Sequence, residues 1–181
     1  QGFSHALIED HSAQLNSEGQ DFARRILSAS EHMDGLLADV LAYSRLSRQE
    51  LKLEPVNVDE VTEDARVQLH NEIKTNAAEI QIAACGSMVV ANRSVLELMI
   101  VNLIDNAIEY TSPGGSISVS SFQSDGTALL AVADTGIGIP TEALPHVFER
   151  FYRVDGARSR HLGGTGLGLA IVKSICIAFG G

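Results

Sequence analysis

No proline occurs before position 55, and the apolar residues ahead of it recur at helical spacing. Ile26, Met33 and Val40 are seven apart, as are Ala29, Leu36 and Tyr43, which draws an a/d-type seam along one face. The pattern predicts a helix over residues 19–46, about 42 Å long at 1.5 Å per residue. A break at Asn16-Ser17-Glu18-Gly19 precedes it, and before that a shorter helix over 3–12 carries Phe3, Leu7 and Ile8 on its apolar side. A two-helix hairpin buries such a seam poorly by itself. Pairing with a second copy into a four-helix bundle is the economical solution, and a single long helix packed on its own domain is the alternative. The lopsided hairpin also leads to the expectation that the start of its first helix lies outside this chain.

Pro55 ends that regime, because a helix does not run through it. Residues 51–57 read as a linker, and Asn57 as the N-cap of a helix from Val58 to Ile73. Glu79–Ala84 and Met88–Ala91 read as short strands, and Arg93–Tyr110 as an apolar helix. Ser116–Phe122 and Thr127–Ala133 read as strands joined by Asp125-Gly126, and a last helix runs from near Leu167 to Phe179. The expected class is α+β: a helical hairpin over 1–50 (half of a dimeric four-helix bundle), then an α/β sandwich over 58–181.

Composition narrows the function without naming it. A net charge of −10 disfavours a general nucleic-acid binder, which needs a basic surface. No apolar run approaches the roughly 20 residues of a membrane span and no signal peptide opens the chain, so a cytoplasmic setting is expected. Cys85 and Cys176 lack CxxC spacing and read as buried thiols of a reducing compartment. The charge is uneven, however. Arg150, Arg153, Arg158 and Arg160 stand together against only Asp155, which makes either a local anion site or a solvated arginine-rich loop.

Three segments carry chemistry. Asn102 and Asn106 are one helical turn apart in an apolar helix, and an amide oxygen is a hard-cation ligand. Asp134-Thr135-Gly136-Ile137-Gly138-Ile139-Pro140 follows a strand, placing a carboxylate able to accept from an exocyclic amine beside glycines that permit close approach. Gly163-Gly164-Thr165-Gly166-Leu167-Gly168 leads into an apolar helix, and amides at a helix N-terminus receive phosphate oxygens. The spacing matches neither GxxxxGK[ST] nor GxGxxG, so the Walker and Rossmann readings fail on their own motif. Between the last two lies Phe148-Glu149-Arg150-Phe151-Tyr152-Arg153 with the basic stretch through His161, which reads as a lid over phosphates.

In that order these segments resemble the ATP-binding domain of sensor histidine kinases, from about Val56 to Gly181. Gly2-Phe3-Ser4 and Ala42-Tyr43-Ser44-Arg45 resemble the dimerisation and histidine-phosphotransfer hairpin, particularly of phytochrome-like members. The resemblance implies that Asn106 binds Mg²⁺ and that Asn102 supports metal and phosphates of ATP. It implies that Asp134 recognises the adenine amino group, that Tyr110 and Ile139 pack near the ring, and that Gly136 and Gly138 admit the nucleotide. Arg153, with Arg150, would reach the phosphates, and Gly164, Thr165, Gly166, Leu167 and Gly168 would form the second glycine turn. It further implies a homodimer, a response-regulator receiver domain as partner and a sensor domain upstream.

Three departures qualify that picture. In gyrase-like ATPases a glutamate base stands at the position of Asn102, so its absence favours transfer to a protein acceptor over water activation. Glu109 stands where the family often has a basic residue, and a carboxylate there repels phosphate unless it points away. Ser4-His5-Ala6-Leu7 approximates the start of an H-box, but Ala6 replaces its acidic residue and Ile8-Glu9-Asp10 lacks its arginine and proline. His5 therefore reads as a helix-surface histidine, and the acceptor is expected about three helical turns upstream, outside this chain. Further strands are expected after Gly181. The competing reading is a binding and dimerisation module with a degenerate or regulatory nucleotide site.

Overall fold

The computed structural model describes residues 2–46, 52–83, 86–124, 127–154 and 165–180. Helix α1 (Gly2–His11) leads through a 3₁₀ turn (Ser12–Gln14) into α2 (Ser17–Leu46). Asn16 Oδ1 accepts from Gly19 N at 2.8 Å, so α2 starts two residues earlier than its apolar pattern indicates. The Gln20 amide donates to Ser12 O and Leu15 O, which folds α1 back beside the first turns of α2 and buries Ala23 there. Among the described side chains of α2, Phe22, Ile26, Met33 and Leu37 are exposed.

Part of the stretch read as a linker is a strand. β1 (Glu54–Asn57) pairs antiparallel with β3 (Met88–Ala91), with Pro55 opposite Val90. Proline is compatible with this because the two-stranded sheet leaves β1 at an edge. Asn57 then caps α3 (Val58–Gln68), its Oδ1 accepting from Asp59 N at 2.9 Å and Glu60 N at 3.4 Å. The helix expected over 58–73 is two: α3 ends where buried Leu69 leaves helical geometry, and α4 (His70–Asn76) follows.

β2 (Glu79–Ala83), β4 (Ser116–Ser124) and β5 (Thr127–Asp134) form a mixed sheet, β2 parallel and β5 antiparallel to β4. Its register sets Ile80 opposite Ile117 and Val119 opposite Val132. Helices α3 and α5 (Arg93–Tyr110) cover one face, packing Val61, Ala65, Leu96, Ile100, Ile104 and Ile108 on Ile117 and Val119. A second apolar cluster joins α5 to α6 (Gly168–Ala178) through Val95, Leu167, Ile171 and Ile175. Cys176 is exposed, contrary to expectation: Ile175 is the inward residue, and one step of about 100° carries the thiol outward. Cys85 lies outside the described residues. No described helix is long and apolar enough to cross a membrane.

Candidate functional site

The site is organised by α5. Val95, Asn102 and Glu109 are seven apart and share the helix face that also carries Leu98, Met99 and Asn106. Over the first half of α5 this face is apolar and packs on Ile171 and Ile175. Over the second half it is polar, and there it meets the start of α6. Each asparagine donates its Nδ2 to the carbonyl one turn back, Asn102 to Leu98 O at 2.8 Å and Asn106 to Asn102 O at 2.6 Å. The amide oxygens remain as the acceptors that the pair presents.

Gly168 closes on this pair. A Cβ at Gly168 would lie 2.8 Å from Asn102 Oδ1 and 3.0 Å from Asn106 Nδ2, so only a bare backbone lets the α6 N-terminus approach so closely. Leu167 is buried in the α5–α6 cluster while its N–H donates to Thr165 Oγ1 at 3.2 Å, which shapes the turn entering α6. Gly166 has φ +69° and donates no side chain to a crowded spot: its Cβ would lie 2.9 Å from the Phe151 carbonyl carbon. Phe151 N in turn donates to Gly166 O at 2.9 Å, tying the two segments together. Gly164, Arg158 and Arg160 lie outside the described residues.

The loop after β5 packs on the C-terminal end of α5. Asp134 Oδ1 accepts from Gly136 N at 2.8 Å, and Ile137 N donates to Tyr110 O at 3.2 Å. A Cβ on Gly136 would collide with Tyr110 O and lie 2.7 Å from Asp134 Oδ1. Gly138, with φ +69° and open space around it, is needed for its conformation and not for clearance. Asp134 and Ile139 are exposed, and Tyr110 is half-buried. Burial pushes the Tyr110 phenol above its ordinary range; the Glu109 carboxylate pushes the same way and Arg153 opposes.

Arg153 comes to the same face: its Nη2 lies 3.5 Å from Glu109 Oε1, with both side chains largely buried. The sequence alone presents Glu109 as a carboxylate that repels phosphate unless it points away; its partner Arg153 lies 44 positions along the chain. Arg150 is exposed. The structure thus gathers Asn102, Asn106, Arg153, Thr165, Gly166, Leu167 and Gly168 along one half of α5, with Tyr110, Asp134 and Gly136 at its C-terminal end.

Comparison with known proteins identifies the family. Residues 91–181 match the family described as histidine kinase-, DNA gyrase B- and HSP90-like ATPase. The chain is 38% identical over 159 residues to the sensor-like histidine kinase SenX3 of Mycolicibacterium smegmatis, a match covering 85% of this chain and 41% of that protein. The chain therefore spans well under half of that relative's length. Among solved structures, the mycobacterial sensor histidine kinase MprB superposes with a TM-score of 0.60 at 34% identity, covering 71% of this chain and 80% of that one. Full-length ShkA in complex with AMPPNP gives a TM-score of 0.71 at 26% identity, covering 99% of this chain and 37% of that one.

Proposed function

Because this chain belongs to the histidine kinase-, DNA gyrase B- and HSP90-like ATPases, and within them holds a sensor histidine kinase catalytic domain, we propose that it is the ATP-dependent protein-histidine kinase core of a two-component sensor. The observation that carries the reading is the close approach of Gly168 to Asn102 and Asn106. It sets helix N-terminal amides, which favour phosphate oxygens, beside the amides of Asn102 and Asn106, whose oxygens suit a hard cation. The site fits Mg²⁺ and ATP on that chemistry. When bound, ATP supplies the phosphoryl group and the metal neutralises charge on it.

The chain's own residues then have separable tasks. Asn106 holds the metal, and Asn102 orients it and the phosphates through its tethered amide. Asp134 accepts from the adenine amine, while Tyr110 and Ile139 flank the ring and Gly136 and Gly138 keep the entrance clear. Arg153, with Arg150 in support, meets the phosphates, and the segment Thr165, Gly166, Leu167 and Gly168 covers them, Gly164 being assigned to the same role. Positioning and charge neutralisation are what phosphoryl transfer chiefly needs. Asn102 supplies no carboxylate base for water, which favours a protein histidine over hydrolysis.

Around this core we place a homodimer through α2, whose exposed Phe22, Ile26, Met33 and Leu37 would be covered by a second copy. A receiver domain of a response regulator would take the phosphoryl group, an input domain would precede the hairpin, and the catalytic core would work on the cytoplasmic side. The division into hairpin and ATP-binding domain, ahead of β1, belongs to the same proposal. Calorimetric titration with Mg-ATP tests the core of it. Wild type should bind and Asp134→Ala should bind at least tenfold more weakly, about 1.4 kcal/mol; equal affinities would remove Asp134 from adenine recognition.

A further inference from the structure

We propose that Glu109 is a positioning residue for Arg153, holding its guanidinium on the α5 face where phosphates are received. The inference rests on the nucleotide reading above and concerns the residue that sequence comparison makes least suitable for it. Glu109 and Arg153 are 44 residues apart in sequence, yet their charged groups meet at 3.5 Å with side chains 14% and 20% exposed. Two long, flexible side chains are thus held away from solvent at one point. The carboxylate that would repel phosphate already has its charge balanced by the cation that would attract it.

The geometry suits a guide better than a competitor. A separation of 3.5 Å is longer than the roughly 2.7–2.9 Å of a strong charge-assisted hydrogen bond. Contact runs through Nη2, and a guanidinium has five N–H donors, so one carboxylate cannot saturate it. The backbone around Arg153 is fastened as well: Phe151 N donates to Gly166 O at 2.9 Å, and the Tyr152 ring stands 5.5 Å from that of His146. His146 is itself bound to Glu149 at 2.7 Å. The residues just before Arg153 are thus tied in place and its head group meets Glu109 at 3.5 Å, and ordering a long side chain before the ligand arrives removes part of that cost from binding.

The test is a double-mutant cycle on Mg-ATP affinity, with adenosine as the phosphate-free control. Glu109→Ala should weaken Mg-ATP binding about three- to tenfold, the scale of one newly mobile long side chain. Glu109→Gln, which keeps the shape and loses the charge, should fall between, and adenosine should bind all variants as it binds wild type. In an Arg153→Ala background, Glu109→Ala should cause no further loss. Unchanged or tighter Mg-ATP binding by Glu109→Ala, while Arg153→Ala weakens it, would overturn the proposal and leave Glu109 as a repulsive neighbour. An equal loss with and without Arg153, or an equal loss for adenosine, would also overturn it, since Glu109 would then act on the fold. If Arg153→Ala binds Mg-ATP like wild type, the phosphate role of Arg153 fails and this inference with it.

Discussion

Gly168→Ala separates stability from binding at this site. Gly168 lies outside the left-handed region, so alanine is allowed there by its backbone, and in the first turn of α6 it gains about 0.5–1 kcal/mol of helix propensity. Against this stands a Cβ 2.8 Å from Asn102 Oδ1 and 3.0 Å from Asn106 Nδ2. Both neighbours are side-chain ends, but neither is loose, because Asn102 Nδ2 is bonded to Leu98 O at 2.8 Å and Asn106 Nδ2 to Asn102 O at 2.6 Å. Turning one amide aside forfeits one such bond, about 0.5–1.5 kcal/mol net. The two effects cancel to within about 1 kcal/mol, so the melting temperature should move by no more than about 4 °C. Binding has no such offset. Misplacing a metal-orienting amide costs about 10–100-fold in affinity. Thermal melts followed by calorimetric Mg-ATP titration give both quantities on one preparation. Undiminished affinity in a variant of unchanged melting temperature would refute the assignment of the asparagine pair to metal and phosphates.

Two further outcomes test other parts of the site. Gly136→Ala should destabilise by about 2–4 kcal/mol in urea melts, because its Cβ meets the backbone oxygen of Tyr110 and the Ile137 N–H bond to that oxygen must break. Gly138→Ala, with φ +69° in open space, should cost only about 1–2 kcal/mol; the reverse order would contradict the packing of the loop on α5. Tyr110 tests the electrostatics. Its folded-state pKa lies above the unfolded value, so its contribution to stability is complete below the ordinary phenol range and is lost as pH rises through the folded value. Ultraviolet titration against Tyr110→Phe isolates its ionisation, and Glu109→Gln should move that midpoint down; an unmoved midpoint would detach Glu109 from the phenol.

Local signals were legible where local chemistry decides the outcome. Asn57 caps α3 as its residue type and position indicate, and α5 spans the range its apolar pattern marks. Elsewhere tertiary contacts decided. Pro55 reads as a breaker, yet it sits in β1 because an edge strand does not need its missing donor. Nothing in the local sequence stops a helix at Leu69; the residue is buried there, and the chain bends at it. The helix after Gly168 is apolar on nearly every side, so composition cannot say that Ile175 faces inward and Cys176 outward.

The candidate site shows the same division, and α5 explains it. Ile100, Ile104 and Ile108 turn to the sheet, while Val95, Leu98 and Met99 turn to α6, so both sides of the helix are apolar and its periodicity is blurred. Asn102, Asn106 and Glu109 are polar exceptions on the α6 side alone, and their spacing is visible in one dimension. What faces them is not. Gly168 and Arg153 lie 62 and 44 positions farther along the chain than Asn106 and Glu109, and only the packing of α6 and of the segment after β5 brings them there. A helix whose seam is apolar for two turns and polar for the next two has two effects on its partner. The apolar half packs on α6, and the polar half faces the N-terminus of α6 with the amides of Asn102 and Asn106. The core contact and the proposed anion site are consecutive stretches of one interface, which is why a change as small as one methyl group at Gly168 should be read first in binding.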